Sequence, residues 1–284
     1  MKQRAISTWI AVICITAMLS TFYPRISHAS ASTARASVED VPEPSTTVPM
    51  EIPDHPQLNA LRNLHWLQTD AQDITGDHEQ EQIGLLGGKE DPASDHYQLV
   101  YLIYKDIKHQ KTSVTFIQGG YRPSMVVCDL NGDQVNDVLV KLLKGSDTAK
   151  ANYRLYTVKN QEVVAMPAPH PIEIVGQLED DYTVTLKVKG QETYAVNMKD
   201  HKEKYDAAGY YKNGKLLRPT KVSNASFDVI QPVDFDKNGT TDLQGVQKVT
   251  GAGKDDVIAY VHTLWTWEDG KWRQLHVYIQ KAMK

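Results

Sequence analysis

The chain has 284 residues, a net charge of −4 at pH 7 and a mean hydropathy of −0.44. This acidic balance argues against nucleic acid or anionic lipid as the partner. One of the two cysteines, Cys14, lies in the N-terminal segment described next, whose predicted cleavage would leave only Cys128. A single cysteine cannot form an internal disulfide, which excludes a disulfide-stabilised scaffold.

Residues 1–29 have the pattern of a signal peptide. Lys2 and Arg4 form a basic start, an apolar stretch runs to about Phe22, and Ser27-His28-Ala29 resembles a cleavage site with small residues. We therefore predict that the protein is exported and is secreted or associated with the cell envelope. An uncleaved anchor is the alternative, although the interrupted apolar stretch is short for the roughly 20 residues of a membrane-spanning helix.

The next segment, residues 30–57, differs in composition from the rest of the chain. Alanine, serine and threonine dominate its first part, and five prolines follow in its second part. Because it has almost no apolar side chains to bury, we predict a disordered or semi-extended linker. The folded part is predicted to be residues 58–284, a length that is normal for one all-β domain.

Three acidic segments of one design occur in the folded part: loop 1 (residues 73–81), loop 2 (129–137) and loop 3 (234–242). Each has oxygen-bearing side chains at positions 1, 3, 5 and 9 and a glycine at position 4 or 6. Calcium binds about six to eight oxygen atoms in a flexible geometry, and alternate side chains of a curled loop can supply them. The predicted Ca²⁺ ligands are Asp73, Thr75, Asp77, the carbonyl of Glu79 and Glu81 in loop 1; Asp129, Asn131, Asp133, the carbonyl of Val135 and Asp137 in loop 2; and Asp234, Asp236, Asn238, the carbonyl of Thr240 and Asp242 in loop 3.

The same residues allow other interpretations of the loops. Loop 3 resembles the first half of an EF-hand, but Gly245 stands where that motif requires glutamate. The predicted ligand positions hold no thiolate or imidazole, which argues against zinc or copper. Without a metal, each loop would be an Asx-rich turn whose side chains satisfy its own backbone. In such a metal-free loop the crowded carboxylates repel one another, which favours a bound cation. Loop 1 is the weaker predicted site because Thr75 is a weaker metal ligand than the Asn or Asp at position 3 of the other loops.

A common order of elements surrounds the three loops. Each loop is followed by an apolar β-prone run, a glycine, a polar turn and an aromatic-rich strand. The interval between loops 2 and 3 is nearly twice that between loops 1 and 2. We therefore predict a repeat, with a fourth, degenerate unit around residues 181–190.

Further local patterns indicate strands and tight turns. Residues 112–118 and 182–188 alternate between apolar and polar side chains, as strands do. The dipeptides Asn213-Gly214 and Asp269-Gly270 predict two-residue hairpin turns. Only residues 59–67 are predicted to form a short helix, so the chain as a whole is predicted to be mainly β, with roughly sixteen or seventeen strands.

Residues 129–140 resemble the FG-GAP/VCBS repeat, the calcium-loop repeat of integrin-type β-propellers, and loops 3 and 1 are similar to it. The layout also resembles that of secreted VCBS-repeat proteins of Gram-positive, spore-forming bacteria. The resemblance implies structural calcium sites and an all-β fold, as a small or irregular propeller-like array of about four to five blades. The Phe-Gly and Gly-Ala-Pro signatures are missing, which leaves a β-sandwich with calcium hairpins as the alternative.

Catalytic motifs are absent from the sequence. It contains no G-x-S-x-G elbow, P-loop or H-E-x-x-H motif. Trp265, Trp267 and Trp272 lie on or beside one predicted hairpin, where they either stack on a sugar or peptide or pack in the core. We predict a non-enzymatic calcium-binding β-repeat protein with a binding or structural role, whose partner is a cell-wall polymer, a polysaccharide or another envelope protein. A calcium-dependent glycan hydrolase or lyase is the alternative.

Overall fold

The fold is all-β, as the sequence predicts. The computed structural model describes residues 50–59, 61, 63–146, 150–188, 191–224 and 226–283. In these residues, 17 strands form four antiparallel sheets, none of which is closed into a barrel. No helix in this part of the chain has the length and apolar character needed to cross a membrane. The predicted signal peptide and the first part of the predicted linker lie outside the described residues.

The first sheet is a seven-stranded meander in which each strand pairs with its neighbours in sequence. Its strands are β1 (Leu64–Gln72), β2 (Glu81–Gly88), β3 (His96–Asp106), β4 (Lys111–Cys128), β5 (Asp137–Leu143), β6 (Ala151–Lys159) and β7 (Glu162–Met166). The pairing of β4 with β5 shifts register between Tyr121 and Ser124. The first part of β4 pairs with β3 and its last part pairs with β5. One long strand therefore belongs to two successive four-stranded units.

The remaining strands form three smaller sheets, of three, two and five strands. The second sheet contains β8 (Ile174–Glu179), β9 (Thr183–Val188) and β10 (Thr193–Asn197), and the third contains β11 (Tyr211–Lys212) and β12 (Lys215–Leu216). The fourth sheet contains β13 (Ser223–Asn224), β14 (Val229–Val233), β15 (Asp242–Thr250), β16 (Val257–Glu268) and β17 (Lys271–Lys281). In the described residues, two short α-helices accompany the strands, α1 (Pro56–Asn59) and α2 (Lys202–Ala207).

Two predicted hairpins are confirmed, and each follows from its turn residues. Asn213 and Gly214 have φ angles of 52° and 79° between β11 and β12. Asp269 and Gly270 have φ angles of 52° and 76° between β16 and β17. Positive φ at both central residues gives the turn a twist that matches the paired strands, and Asn-Gly and Asp-Gly tolerate it best.

The helix predicted over residues 59–67 is wrong. Helix α1 ends at Asn59, and β1 begins at Leu64 and pairs with β2 along its length. Pairing with a buried neighbouring strand outweighs the weak local helix preference of this segment. Met50 and Leu58 are buried in one hydrophobic core, so the described structure begins inside the segment predicted to be a linker.

The predicted order of elements around the loops matches the strand order. Loop 1 joins β1 to β2, loop 2 joins β4 to β5, and loop 3 joins β14 to β15. Each loop is followed by two further antiparallel strands, which completes a four-stranded meander. Strand β9 occupies most of the region predicted as a degenerate unit, although residues 189 and 190 lie outside the described residues. A propeller of four to five blades is not shown, because the strands are distributed over sheets of seven, three, two and five.

A buried core joins the first and fourth sheets. Leu139 and Leu155 of the first sheet pack in the same cluster as Ile230, Leu243 and Trp265 of the fourth. Leu130, from loop 2, is also part of this cluster and is completely buried. The acidic loops therefore lie directly beside the apolar contact that holds the two sheets together.

Candidate metal-binding loops

The three acidic loops lie in a row, with loop 2 in the middle. Asn136 Nδ2 donates a hydrogen bond to Gln72 Oε1 at 3.0 Å, which joins loop 2 to the end of β1 beside loop 1. On the other side, the backbone N–H of Thr241 in loop 3 donates to the carbonyl of Asp129 at 2.7 Å. The sequence shows three separate loops, whereas the fold brings them into contact.

The first carboxylate of a loop organises the loop backbone. Asp73 Oδ1 accepts hydrogen bonds from the backbone N–H groups of Thr75 and Gly76, at 3.2 and 2.6 Å. Its Oδ2 accepts from the N–H of His78 at 2.8 Å. Asp129 makes the same three bonds to positions 3, 4 and 6 of loop 2, at 3.2, 2.7 and 2.9 Å. Loops 1 and 2 are thus built to one pattern.

Positions 4 and 6 of every loop have left-handed backbone. Glycine adopts this conformation readily, whereas other residues are strained in it by roughly 1–2 kcal/mol. The single glycine of each loop therefore relieves one of two demanding positions. The φ angles at positions 4 and 6 are 81° and 66° in loop 1 (Gly76, His78), 78° and 67° in loop 2 (Gly132, Gln134), and 58° and 92° in loop 3 (Lys237, Gly239).

The ninth-position carboxylate is buried in each loop. Glu81, Asp137 and Asp242 are 2%, 1% and 5% exposed. Glu81 Oε2 accepts a hydrogen bond from the backbone N–H of Ile74 at 3.0 Å, and Asp137 Oδ2 accepts the corresponding bond from Leu130 at 3.0 Å. The first strand residue after each loop therefore points its carboxylate back beneath the loop.

Burial disfavours ionisation of the ninth-position carboxylates and raises their pKa values. Burial is the main cause that raises the pKa of Asp137 to about 6, and the charges of Asp133 and Asp129 raise it further. The pKa values of Glu81 and Asp242 are also raised, first by burial and then by the acidic side chains of their own loops. A cation placed among these oxygens would offset both effects.

Loop 1 differs because a lysine already contacts its acidic side chains. Lys108 Nζ lies 3.3 Å from Asp77 Oδ2 and 3.4 Å from Glu79 Oε1. A hydrogen bond from the N–H of Glu79, followed by Lys108, lowers the pKa of Asp77. The Thr75 Oγ1 is buried and makes no hydrogen bond in the described part of the chain, although it lies near enough to Glu81 to lower the pKa of that carboxylate.

Loop 3 is the most exposed of the three. Asn238 Nδ2 donates to Asp236 Oδ2 at 2.9 Å, and Asn238 Oδ1 accepts from the N–H of Thr240 at 2.7 Å. Asp234 Oδ2 accepts from the N–H of Gly239 at 3.2 Å, which is the bond to position 6 seen in the other loops. Asp234, Asp236 and Asn238 are therefore adjacent and accessible to solvent, whereas Asp242 is buried.

In the arrangement described, the side chains of the loops mainly serve their own backbone. Asn131 donates from Nδ2 to both oxygens of Asp137 at 3.1 and 3.0 Å, and its Oδ1 accepts from the N–H of Asp133. Over the described ranges, no three His, Cys, Asp or Glu side chains form a group that could hold a metal ion. The donors are carboxylate, amide, hydroxyl and carbonyl oxygens, which suit calcium, but binding would require their rotation toward a common centre.

One feature of the loops was not predicted from the sequence. Position 2 is Ile74 in loop 1 and Leu130 in loop 2, and both side chains are completely buried in hydrophobic cores. They anchor the loops to the body of the protein. The apolar residue at this position in all three loops was the available signal, although Phe235 of loop 3 is 54% exposed.

The tryptophans near the last hairpin pack against the protein itself. Trp265 is buried in the core between the first and fourth sheets. Trp267 and Trp272 contact each other edge to face, with ring centres 5.2 Å apart. Trp272 Nε1 also donates to the carbonyl of Pro167 at 2.8 Å. For Trp265, the core-packing interpretation is therefore confirmed.

These features define an all-β protein with three structurally related acidic loops, of which loop 2 contacts the other two. A family model described as the YybI C-terminal domain matches residues 172–280. The chain is also 24% identical over 205 residues to the uncharacterised protein YybI of Bacillus subtilis (strain 168), which covers 69% of this chain and 77% of that relative. No solved structure matches the chain.

The predicted resemblance to the FG-GAP/VCBS repeat family is wrong. No such family is found for this chain, and the family model that matches is the YybI C-terminal domain. That match includes loop 3, whereas loops 1 and 2 precede it. A nine-residue acidic loop reflects the geometry of a tight turn with oxygen ligands and does not identify a family, particularly where the flanking signatures are absent.

Proposed function

We propose that this protein is an exported calcium-binding β protein with a non-enzymatic binding or structural role at the cell envelope or outside the cell. The observation that carries this proposal is the shared construction of the three loops. Each has two left-handed positions, a first carboxylate bonded to the loop backbone, and a buried ninth carboxylate. Three loops of equal construction are better explained by a common ligand than by three unrelated turns.

Charge supports a divalent cation as that ligand. In each loop the ninth carboxylate is buried beside other acidic side chains, which raises its pKa. A bound cation would stabilise the ionised forms, and an all-oxygen donor set suits calcium better than zinc or copper. Loops 2 and 3 are the stronger candidates, because Lys108 partly neutralises loop 1.

The position of the loops supports a stabilising role for the metal. Loop 2 belongs to the first sheet and loop 3 to the fourth, and they are joined by the hydrogen bond between Thr241 and Asp129. Calcium in either loop would stiffen a contact between two sheets that share a hydrophobic core. The metal would thereby stabilise the whole domain, which we expect to matter for a protein outside the cell.

The three loop-containing meanders, β1–β4, β4–β7 and β14–β17, also support a finer proposal about architecture. Each has the four antiparallel strands of a propeller blade. We propose that they are blade-like units of a small or irregular propeller-like array. The calcium proposal does not depend on this arrangement.

The partner proposed from the predicted export signal is a component of the cell envelope. A cell-wall polymer, a polysaccharide and another envelope protein are the candidates. Binding to isolated wall material, measured with calcium and with a chelator, would show whether the metal-bound form is the one that binds.

Thermal unfolding with calcium, magnesium or a chelator tests the calcium proposal. A ligand present at 100 times its Kd stabilises a protein by about 2.7 kcal/mol, so calcium should raise the melting temperature well above that in chelator. Asp133→Ala and Asn238→Ala should each reduce this rise. Asp255→Ala, which changes an exposed aspartate outside the loops, is the matched control and should leave it unchanged. An equal melting temperature in calcium and chelator would contradict the proposal.

A further inference from the structure

A cavity lies at the end of the first sheet opposite to loop 1. Loop 1 follows the last residue of β1, whereas the cavity is bounded by the first residues of β1 and by the residues that follow β2. Its volume is about 310 Å³, at the lower end of the range for small-molecule sites. The residues lining it include His65, Trp66, Lys89, Asp95, Tyr97 and Arg122.

Two basic side chains in this cavity lack a compensating acid. Within the described residues, the guanidinium of Arg122 makes no hydrogen bond or ion pair, and the ammonium group of Lys89 makes no ion pair. Lys89 Nζ instead lies 4.6 Å from the centre of the Tyr97 ring, a contact that leaves its N–H groups available. Asp95 also lines the cavity but pairs with neither of them. The cavity therefore carries an excess of positive charge in a protein whose net charge is negative.

Arg122 is held in a strained backbone conformation. Its φ angle is 44°, and it lies at the register shift of β4, directly before Pro123. A residue that is not glycine is strained in the left-handed region, and a following proline disfavours helical backbone further. Such strain persists where the surrounding structure enforces it, and it occurs often at ligand sites. Here it places the arginine in the wall of the cavity.

Neutral hydrogen-bonding groups complete the cavity. His65 Nε2 and Tyr97 Oη lie 3.4 Å apart, and both residues line it. The ring of Tyr97 packs over β2, because a Cβ on Gly87 would lie 2.6 Å from that ring. The Tyr97 ring can lie in the cavity wall because Gly87 has no side chain to displace it. The ring holds this position without a ligand.

From these features we infer that the cavity binds a small ligand bearing a carboxylate or phosphate group. Arg122 presents the forked donors that hold such a group by two hydrogen bonds, and Lys89 adds a second charge. His65 and Tyr97 are suited to bind hydroxyl groups on the rest of the ligand. The net negative charge of the chain does not oppose this, because exposed charges more than about 8–10 Å away are screened at physiological salt. This binding site is separate from the proposed calcium loops.

Calorimetric titration of the purified full chain tests this inference, with inorganic phosphate and glucuronate as probes and glucose as the neutral control. We expect saturable binding of at least one anion, weakened at least tenfold in Arg122→Gln and in Lys89→Gln. The relative affinity of phosphate and glucuronate distinguishes the two anionic groups. Lys111→Gln is the matched control, because Lys111 is exposed at the far end of β4 and should leave the affinity unchanged.

A further variant separates binding from stability. Arg122→Gly should relieve the backbone strain and raise the melting temperature, while it weakens anion binding as much as Arg122→Gln does. Absence of saturable binding by both anions would overturn the inference, as would binding that equals that of glucose. The same holds if Lys111→Gln weakens binding as much as the cavity variants do. If Arg122→Gln does not fold, Lys89→Gln decides the question.

Discussion

Burial of an acidic side chain beside others of the same charge is unfavourable, and it occurs in all three loops. Asp137 is the clearest case, since it is almost completely buried and lies near Asp129 and Asp133. Hydrogen bonds from Thr157 and from the N–H of Leu130 lower the pKa of Asp137, but they offset only part of the effect of burial, because the pKa remains raised. The ionised form of such a residue destabilises the protein without metal but can be stabilised when a cation binds. Its pKa therefore indicates how strongly the loop favours a cation.

The first prediction concerns pH in the presence of chelator. The folded pKa of Asp137 is about 6, above its ordinary value of 3.8, so the folded state binds more protons than the unfolded state between these values. The free energy of unfolding should therefore decrease as pH rises from about 4 to 6, by about 2–3 kcal/mol from this group. Urea unfolding across this range should show the decrease, and Asp137→Asn should remove the part that this group contributes. The raised pKa values of Glu81 and Asp242 contribute decreases of the same sign. The exposed neighbour provides the control, as Asp133→Asn should retain most of the slope; equal slopes in all three proteins would contradict the prediction.

The second prediction concerns Lys108, which competes with a cation for loop 1. In a chain that carries Asp133→Ala and Asn238→Ala, Lys108→Met should increase the calcium-dependent rise in melting temperature. Loss of the exposed ion pairs should itself change stability only slightly in chelator, because solvent screens such pairs. Lys111→Met, which removes an exposed lysine from the next strand, should have no effect on the calcium response. A calcium response that falls with Lys108→Met would show that the lysine supports the site.

At the scale of elements, contacts between loops distinguish this arrangement from three independent turns. A Cβ added at Gly76 of loop 1 would lie 2.8 Å from Val135 Cγ2 of loop 2, whereas one added at Gly239 of loop 3 would meet no atom within 4 Å. Both glycines have positive φ angles. Alanine at either position therefore introduces backbone strain, but only alanine at Gly76 also collides with a neighbouring loop.

The third prediction uses this difference. Gly76→Ala and Gly239→Ala should each reduce the free energy of unfolding by roughly 1–2 kcal/mol through strain. Gly76→Ala should lose about 1–3 kcal/mol more, because the added methyl group overpacks the contact with loop 2. Val135→Ala in the same chain should recover part of that additional loss in a double-mutant cycle measured by urea unfolding. Equal losses of unfolding free energy in Gly76→Ala and Gly239→Ala would contradict the prediction, because they would show that loops 1 and 2 accommodate the added methyl group without destabilisation.

Local sequence predicted individual elements well where a turn residue decided the outcome. Asn213-Gly214 and Asp269-Gly270 predicted their hairpins because positive φ at two adjacent positions restricts the residues allowed. The pattern of residues 59–67 failed, since the pairing of β1 with β2 overrides a local preference. The acidic loops were located from spacing alone, but their buried anchors Ile74 and Leu130 were missed. An apolar residue recurs at position 2 of all three loops, yet Phe235 of loop 3 is exposed, so residue type at this position does not decide burial.

For the whole molecule, the important contact is the core between the first and fourth sheets. Leu130 belongs both to loop 2 and to this core, so a change in the core packing should also change the conformation of the loop. The hydrogen bond from Thr241 to Asp129 runs beside it. Stability of the domain and the geometry of the proposed metal site should therefore change together.

The fourth prediction tests this connection. Leu130→Ala should reduce the free energy of unfolding by about 2–5 kcal/mol, because it removes a completely buried side chain and leaves a cavity. It should also weaken the calcium-dependent rise in melting temperature. Val126→Ala, at a position 44% exposed in the preceding strand, should change stability by about 0.5 kcal/mol or less. A normal calcium response in a destabilised Leu130→Ala protein would separate the loop from the core.

The amino-acid sequence alone determined the all-β class, the tight hairpins and the position of the three acidic loops, because each depends on residues close together in the chain. Only the tertiary structure decided that the loops touch one another, that Lys108 contacts loop 1, and that Lys89 and Arg122 share a cavity. Those relations depend on strand pairing and on packing between sheets. Residues distant in the sequence meet through contacts that no local pattern encodes.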